Sequence, residues 1–233
     1  MPEPGAAIRE TRFGEWFQNT PIWRDYVLSE AVSELVTLLP TSTRRFDSVL
    51  DVGCGSGQAF DLLTDRLEIR RIVGVDLDPS AAEAARARGA PVRLEIHLGD
   101  ICDLTLPPAS MDMVFCHQTL HHVRDQQRAL ERMWKLLRPG GTLLLAESCR
   151  RFVRSLAVRT LFRHPMEVQR SPGEYVSLVR DAGFDVKEDC IRTPEPFWSR
   201  PDFGLRRWLG RSTSAYTEAS QLHLLASRPS GSG

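Results

Sequence analysis

Three aspartates, a run of glycines and a group of histidines set out the chemistry open to this chain. The apolar run Val49-Leu50-Asp51-Val52 stops in Gly53-Cys54-Gly55-Ser56-Gly57, a turn with three alternate glycines. A Cβ there would block both the φ > 0 conformations of a tight strand-to-helix turn and the approach of a ligand to main-chain N–H groups. The turn therefore marks a place where a nucleotide-like ligand lies against bare backbone. A dinucleotide site reads G-x-G-x-x-G and wants its third glycine at the position held by Gln58. Here the third glycine comes one residue early.

The next apolar run ends in Gly74-Val75-Asp76-Leu77-Asp78-Pro79. Proline is favoured at the first helical position and aspartate just before it, so Asp78 reads as a helix N-cap. Asp76, about 20 residues beyond the glycines, is then free to accept hydrogen bonds from a ribose diol. A third run closes in Gly99-Asp100-Ile101, where Asp100 can accept from an exocyclic amine and Ile101 can cover a base; turn chemistry alone also accounts for a Gly-Asp pair. A fourth ends in Cys116-His117-Gln118-Thr119-Leu120-His121-His122-Val123. A metal site there would need a further ligand that the surrounding sequence does not supply, so none is expected.

These residues terminate strands, and the elements around them follow a rhythm. Val49 to Val52, Ile72 to Val75, Val92 to Leu98, Met113 to Cys116 and Thr142 to Ala146 read as strands. Helical stretches separate them at Gln58 to Arg66, Ser80 to Arg88 and Gln126 to Leu137, the last closed by Pro139-Gly140-Gly141. That alternation predicts βαβ units, a mostly parallel sheet and helices on both faces, in which ligands sit beyond the carboxyl ends of the strands. An amphipathic helix is predicted between Pro21 and Pro40, another helix over Tyr175 to Ala182, and two last strands over Phe184 to Ile191 and Leu222 to Ala226. Two segments interrupt the scheme, 150–170, helical in pattern and rich in arginine, and 194–214, with Phe197 and Trp198 among prolines and arginines. Residues 1–45 form an N-terminal helical lid segment, 46–229 the ligand-binding domain, and 230–233 a linker-like tail.

Thirty basic residues offset thirty acidic ones, so no global positive field gathers nucleic acid. Cys54, Cys102, Cys116, Cys149 and Cys190 are spread singly, which disfavours a disulfide framework or zinc site and fits a reduced, cytoplasmic protein. No apolar stretch approaches the roughly 18 residues of a membrane span, and the first residues lack the plan of a signal peptide.

Taken in order, Val49 to Gly57, Gly74-Val75-Asp76, Gly99-Asp100 and Leu136-Leu137-Arg138-Pro139-Gly140-Gly141 resemble the motifs of the class I S-adenosylmethionine-dependent methyltransferases, over residues 46 to 148. Met111 to Phe115 followed by Leu120-His121-His122-Val123 is similar to the small-molecule branch. The resemblance implies a Rossmann-like α/β fold with a seven-stranded, mostly parallel sheet and an antiparallel last strand, plus an N-terminal helix and lid insertions. It implies S-adenosylmethionine as cofactor. Gly53, Gly55 and Gly57 would let its methionine portion pass close to the backbone, Asp51 would hold the α-ammonium, and Asp76 the ribose hydroxyls. Asp100 would receive the adenine amine, Leu77 and Ile101 would sandwich the ring, and the backbone near His117 would contact the methionine end. The early third glycine fits a ligand with an amino-acid end in place of a pyrophosphate.

The reaction implied is in-line displacement at the sulfonium methyl by an O, N, S or C nucleophile of a small, largely apolar acceptor. Proton removal points to a histidine, with His117 and His121 as the candidates. Trp23, Tyr26, His121, Phe197 and Trp198 are the candidate acceptor-binding residues. Two other readings stand beside it: a regulatory partner that binds the cofactor without transferring methyl, and a lipid- or quinone-type methyltransferase using the arginines of 150–170 at a membrane surface.

Overall fold

In the computed structural model, residues 11–196 and 218–231 are described. Period-2 alternation assembles the body. In β2 (Val49–Val52) every residue is buried, Val49 facing one layer of helices and Leu50 and Val52 the other. The same alternation divides Ile72 from Val73 and Val75 in β4 (Arg71–Asp76). Strands buried on both faces read as near-continuous apolar runs, as these do.

Before the sheet come α1 (Arg12–Gln18), α2 (Pro21–Trp23) and α3 (Ser29–Leu38), with a π-helical turn, Arg24–Leu28, joining the last two. The helix predicted between Pro21 and Pro40 is thus present, but its turns widen in the middle. β1 (Arg45–Phe46) and β3 (Glu68–Ile69) form a small parallel pair apart from the main sheet. After β2 the chain alternates α4 (Ala59–Thr64), β4, α5 (Pro79–Arg88), β5 (Arg93–Leu98), β6 (Met111–His117), α6 (Gln126–Leu136) and β7 (Leu137–Ser148). It continues through α7 (Arg150–Val153), α8 (Leu156–Leu161), α9 (Pro172–Asp181), β8 (Ile191–Arg192) and β9 (Gln221–Ser227).

The seven strands lie in the order β5-β4-β2-β6-β7-β9-β8. The first five are mutually parallel, and β9 runs antiparallel to both β7 and β8. The order reverses direction between β2 and the β6 side, so the carboxyl ends of β2, β4, β5 and β6 open on one crevice. One face is covered by α6 and α9 through Leu130, Met133, Tyr175 and Val179; the other by α3, α4 and α5 through Val32, Leu35, Phe60, Leu63 and Ala85.

Three expectations need correction. Phe184 to Ile191 is not a strand: only an isolated bridge at Asp185, a 3-10 turn over Glu188–Cys190 and the two-residue β8 occur there. Pro139-Gly140-Gly141 does not merely close α6, because β7 already begins at Leu137 and runs through the glycines, Gly140 taking φ +78°. The helical 150–170 segment is no single helix but α7, α8 and a 3-10 turn over Met166–Val168, with Ser155 capping α8 by accepting from the Val158 N–H. No helix among the described residues is long and apolar enough to cross a membrane.

Because α3 is anchored by fully buried Leu35 and Val32, Leu35→Ala is expected to cost about 2–5 kcal/mol, read as a lower denaturation midpoint with an unchanged slope in urea.

Candidate functional site

The glycine turn leaves β2 with all three glycines at positive φ: +70° at Gly53, +52° at Gly55 and +75° at Gly57. Their reasons differ. A side chain at Gly53 would overlap Thr119, and one at Gly57 would meet the Phe60 ring, so these two serve the chain's own packing. At Gly55 a Cβ would meet nothing within 4 Å, which makes it the glycine that faces open space.

Asp51 sits under this turn, 2% exposed, and its Oδ2 is buried with no hydrogen-bond partner. Burial, reinforced by the charge of Asp76, pushes its pKa up to about 8. A buried carboxyl without a donor is costly, and a cation or N–H group delivered by a ligand would satisfy it. Asp76 is anchored by its neighbours: Oδ2 accepts from the Gly55 N–H at 2.8 Å and Oδ1 from the Asp78 N–H at 2.9 Å. Burial raises its pKa while these hydrogen bonds oppose the rise. Asp78 caps α5 by accepting from Ser80, as its position before Pro79 requires. Asp100 accepts from the Cys102 N–H and caps a 3-10 turn, so the turn chemistry is realised there. Beside it Ile101 is buried, whereas Leu77, after Asp76, is 45% exposed.

The loop after β6 is organised by a residue that the sequence reading passed over. Glu147, near the end of β7, is fully buried. Its Oε1 accepts from the N–H groups of Thr119 and Leu120, at 3.0 and 2.7 Å; its Oε2 accepts from the His121 N–H at 3.3 Å and lies 2.6 Å from His121 Nδ1. The signal lies in the sequence, since Glu147 directly follows the run Thr142 to Ala146, as Asp76 follows Ile72 to Val75. His117 is also buried, its Nε2 without a partner, and burial, then the charges of His223 and His121, push its pKa down to about 3. Burial first, and neighbouring histidines second, also push His122 well below its usual value and His164 down to about 3.

His164 arrives from the 150–170 segment. It packs on His121 and His122 with ring centroids 5.1 and 4.6 Å away. Aromatic contacts extend the group: His164 to Phe162 at 6.3 Å, Phe162 to Phe17 at 6.0 Å, Phe17 to Trp23 at 5.7 Å, and Trp23 to His117 at 5.8 Å. The belt joins α1, α2, the loop after β6 and the connection after α8. Tyr26, proposed beside Trp23, is 54% exposed and makes none of these ring contacts. Phe197 and Trp198 lie outside the described residues. The arginines of 150–170 do not all face solvent: Arg150 pairs with Glu174 and Glu218, Arg151 with Glu195, and Arg170 donates to Gln126.

Residues 50–145 match the family model described as a methyltransferase domain. Phosphoethanolamine N-methyltransferase 3 of Arabidopsis thaliana is 27% identical over 191 residues, 77% of this chain and 36% of that protein. An uncharacterized methyltransferase of Mycobacterium bovis is 40% identical over 113 residues, 47% of this chain and 53% of its own. The chain spans about half, or less, of the length of the first curated relatives it matches. Among solved structures, an S-adenosylmethionine dependent methyltransferase from Mesorhizobium loti matches with a TM-score of 0.63 at 19% identity, over 84% of this chain and 96% of that one. The [4+2]-cyclase SpnF matches with a TM-score of 0.60 at 21% identity, over 88% and 81%. These structural likenesses show the fold.

Two outcomes follow from the turn. Gly53→Ala should lower the melting temperature of the free protein more than Gly55→Ala, because only the former meets Thr119; thermal denaturation of both variants decides it. Asp51 is held protonated in the fold over a range where the unfolded chain ionises it, so its contribution falls as pH rises from about 4 to about 8. Asp51→Asn should remove that slope and stabilise the free protein at pH 8 by on the order of a few kcal/mol, with little change at pH 4.

Proposed function

We propose that this chain, which belongs to the class I S-adenosylmethionine-dependent methyltransferases, transfers the cofactor's methyl group to a nucleophile on a small, largely apolar acceptor. The observation that carries the reading is the orphaned Oδ2 of buried Asp51, at the end of the strand that runs into a glycine turn with open space at Gly55. S-adenosylmethionine supplies a methyl group already activated by its sulfonium. Asp51 accepts from the α-ammonium and is ionised by it, Asp76 keeps free lone pairs for the ribose hydroxyls, and Asp100 receives the adenine amine between Leu77 and Ile101. With the electrophile activated, the chain contributes alignment, exclusion of water and removal of a proton.

Proton removal falls to His121. Its Nδ1 is engaged by Glu147, a pairing that fixes the tautomer and leaves the Nε2 lone pair as the acceptor for an acceptor hydroxyl or amine proton. His117 is held neutral at working pH and, with its pKa near 3, is too weak a base; it serves as wall. The ring belt of Phe17, Trp23, Phe162 and His164 supports an apolar or aromatic acceptor. The partly buried pairings of Arg151 with Glu195 and of Arg170 with Gln126 count against the membrane-surface alternative. Five free cysteines suit a reducing, cytoplasmic setting.

His121→Asn should lower kcat with hydroxyl or amine acceptors by roughly 10²–10⁴-fold and leave S-adenosylhomocysteine binding, followed by calorimetry, unchanged. Product formation by mass spectrometry across a panel of small acceptors tests the rest: turnover confined to protein or RNA would overturn the acceptor class, and binding without any turnover would favour a regulatory partner. S-adenosylhomocysteine affinity should also rise with pH and peak near pH 8, where Asp51 has ionised and the ligand's α-amino group, of pKa about 7.7–8.0, begins to lose its charge. Asp51→Asn should abolish the rising limb.

A further inference from the structure

We propose that His121, His122 and His164 form a binding site for one zinc-class divalent cation on the acceptor side of the crevice. One ligand nitrogen from each lies within 4.8 Å of the other two. Tetrahedral zinc with Zn–N distances of about 2.0–2.1 Å needs nitrogens about 3.3 Å apart, so side-chain rotations closing the group by about 1.5 Å complete it. Imidazole nitrogen selects zinc, cobalt, nickel or copper over magnesium and calcium, which take oxygen.

What surrounds the three rings is the support a metal site requires. A metal-bound histidine characteristically donates its other N–H to a carboxylate, and His121 Nδ1 is already on Glu147 at 2.6 Å, leaving Nε2 for a cation. No hydrogen bond among the described residues engages the rings of His122 or His164. Two buried glutamines clamp the segments that carry the ligands. Gln169 Nε2 donates to the carbonyls of both His121 and Pro165, each at 2.8 Å, and Gln126 Nε2 donates to those of Leu120 and Val168.

Three protein ligands leave a coordination position open, the pattern of catalytic rather than structural zinc. An acceptor hydroxyl or thiol would be a ligand for that position. A cation there takes the Nε2 lone pair of His121, so the metal-bound and the base-competent forms are alternatives. The proposal reaches beyond methyl transfer and needs no part of it.

The test titrates the chelator-stripped full chain with cobalt(II) alone, followed by its visible absorption, and with zinc sulfate by calorimetry. One equivalent should bind, with cobalt bands characteristic of nitrogen-rich coordination. His122→Ala and His164→Ala should each weaken binding at least about 100-fold, and Glu147→Gln about 10–100-fold. His97→Gln, on the β5 edge of the sheet, should leave it unchanged. S-adenosylhomocysteine binding retained by His164→Ala shows that the variant is folded. No cobalt or zinc uptake by the folded wild-type chain at micromolar concentration, or uptake undiminished in both histidine variants, would overturn the site. Loss of cofactor binding in the wild type would sink the methyltransferase reading and leave this one standing.

Discussion

A single buried carboxylate holds the functional edge together. Glu147 is fully enclosed, and it is tolerable there only because the N–H groups of Thr119, Leu120 and His121 and the His121 ring all converge on it. A buried acid without those donors would cost several kcal/mol, so the loop after β6 has few other places to lie. Thr119, fixed in this way, donates from Oγ1 to the Val52 carbonyl and fills the space beside Gly53. The glycine turn, the histidine loop and the end of β7 therefore form one mechanical unit, although they come from three separate parts of the chain.

The N-terminal helices complete that unit from above. Ser56 Oγ donates to Asn19 Oδ1, and Gln58 Nε2 donates to the Gln18 carbonyl. At the other end of the roof, Glu34 in α3 pairs with His223 in β9. The roof thus touches both the glycine turn and the strands beyond the histidine loop. Glycine turn and histidine loop share their ceiling, and a belt of ring contacts runs from Phe17 through Phe162 to His164.

The sheet, the glycine turn and the aspartates that end its strands were legible because they are local. A buried strand is written in consecutive residues, a glycine turn in five, and each strand-ending aspartate follows its own apolar run. The residues that escaped are those whose meaning depends on distant partners. His164, Gln126 and Gln169 sit in segments whose periodicity says only that they are polar, and nothing nearby in sequence announces that they meet His121. The arginines of 150–170 read along the helix as a basic face, and the acids that pair with Arg150, at 174 and 218, lie too far away in sequence to be read with it. Phe184 to Ile191 carried the composition of a strand but has room for only two paired residues against β9.

The π-helical turn over Arg24–Leu28 has a consequence for how the roof relates to the core. An α-helix fixes successive side chains at about 100° intervals, so a residue aimed at a ligand and a stripe aimed at a core are normally in phase and cannot be adjusted separately. A π turn resets that phase. On one side of it Trp23 points to His117; on the other Leu28, Ala31, Val32 and Leu35 point to the sheet. Shortening the turn by one residue would leave the stripe in place and swing Trp23 away from His117. The protein thereby carries an angular offset through which the ring contacts of Trp23 can be redirected while the hydrophobic seam of the same helical run stays as it is.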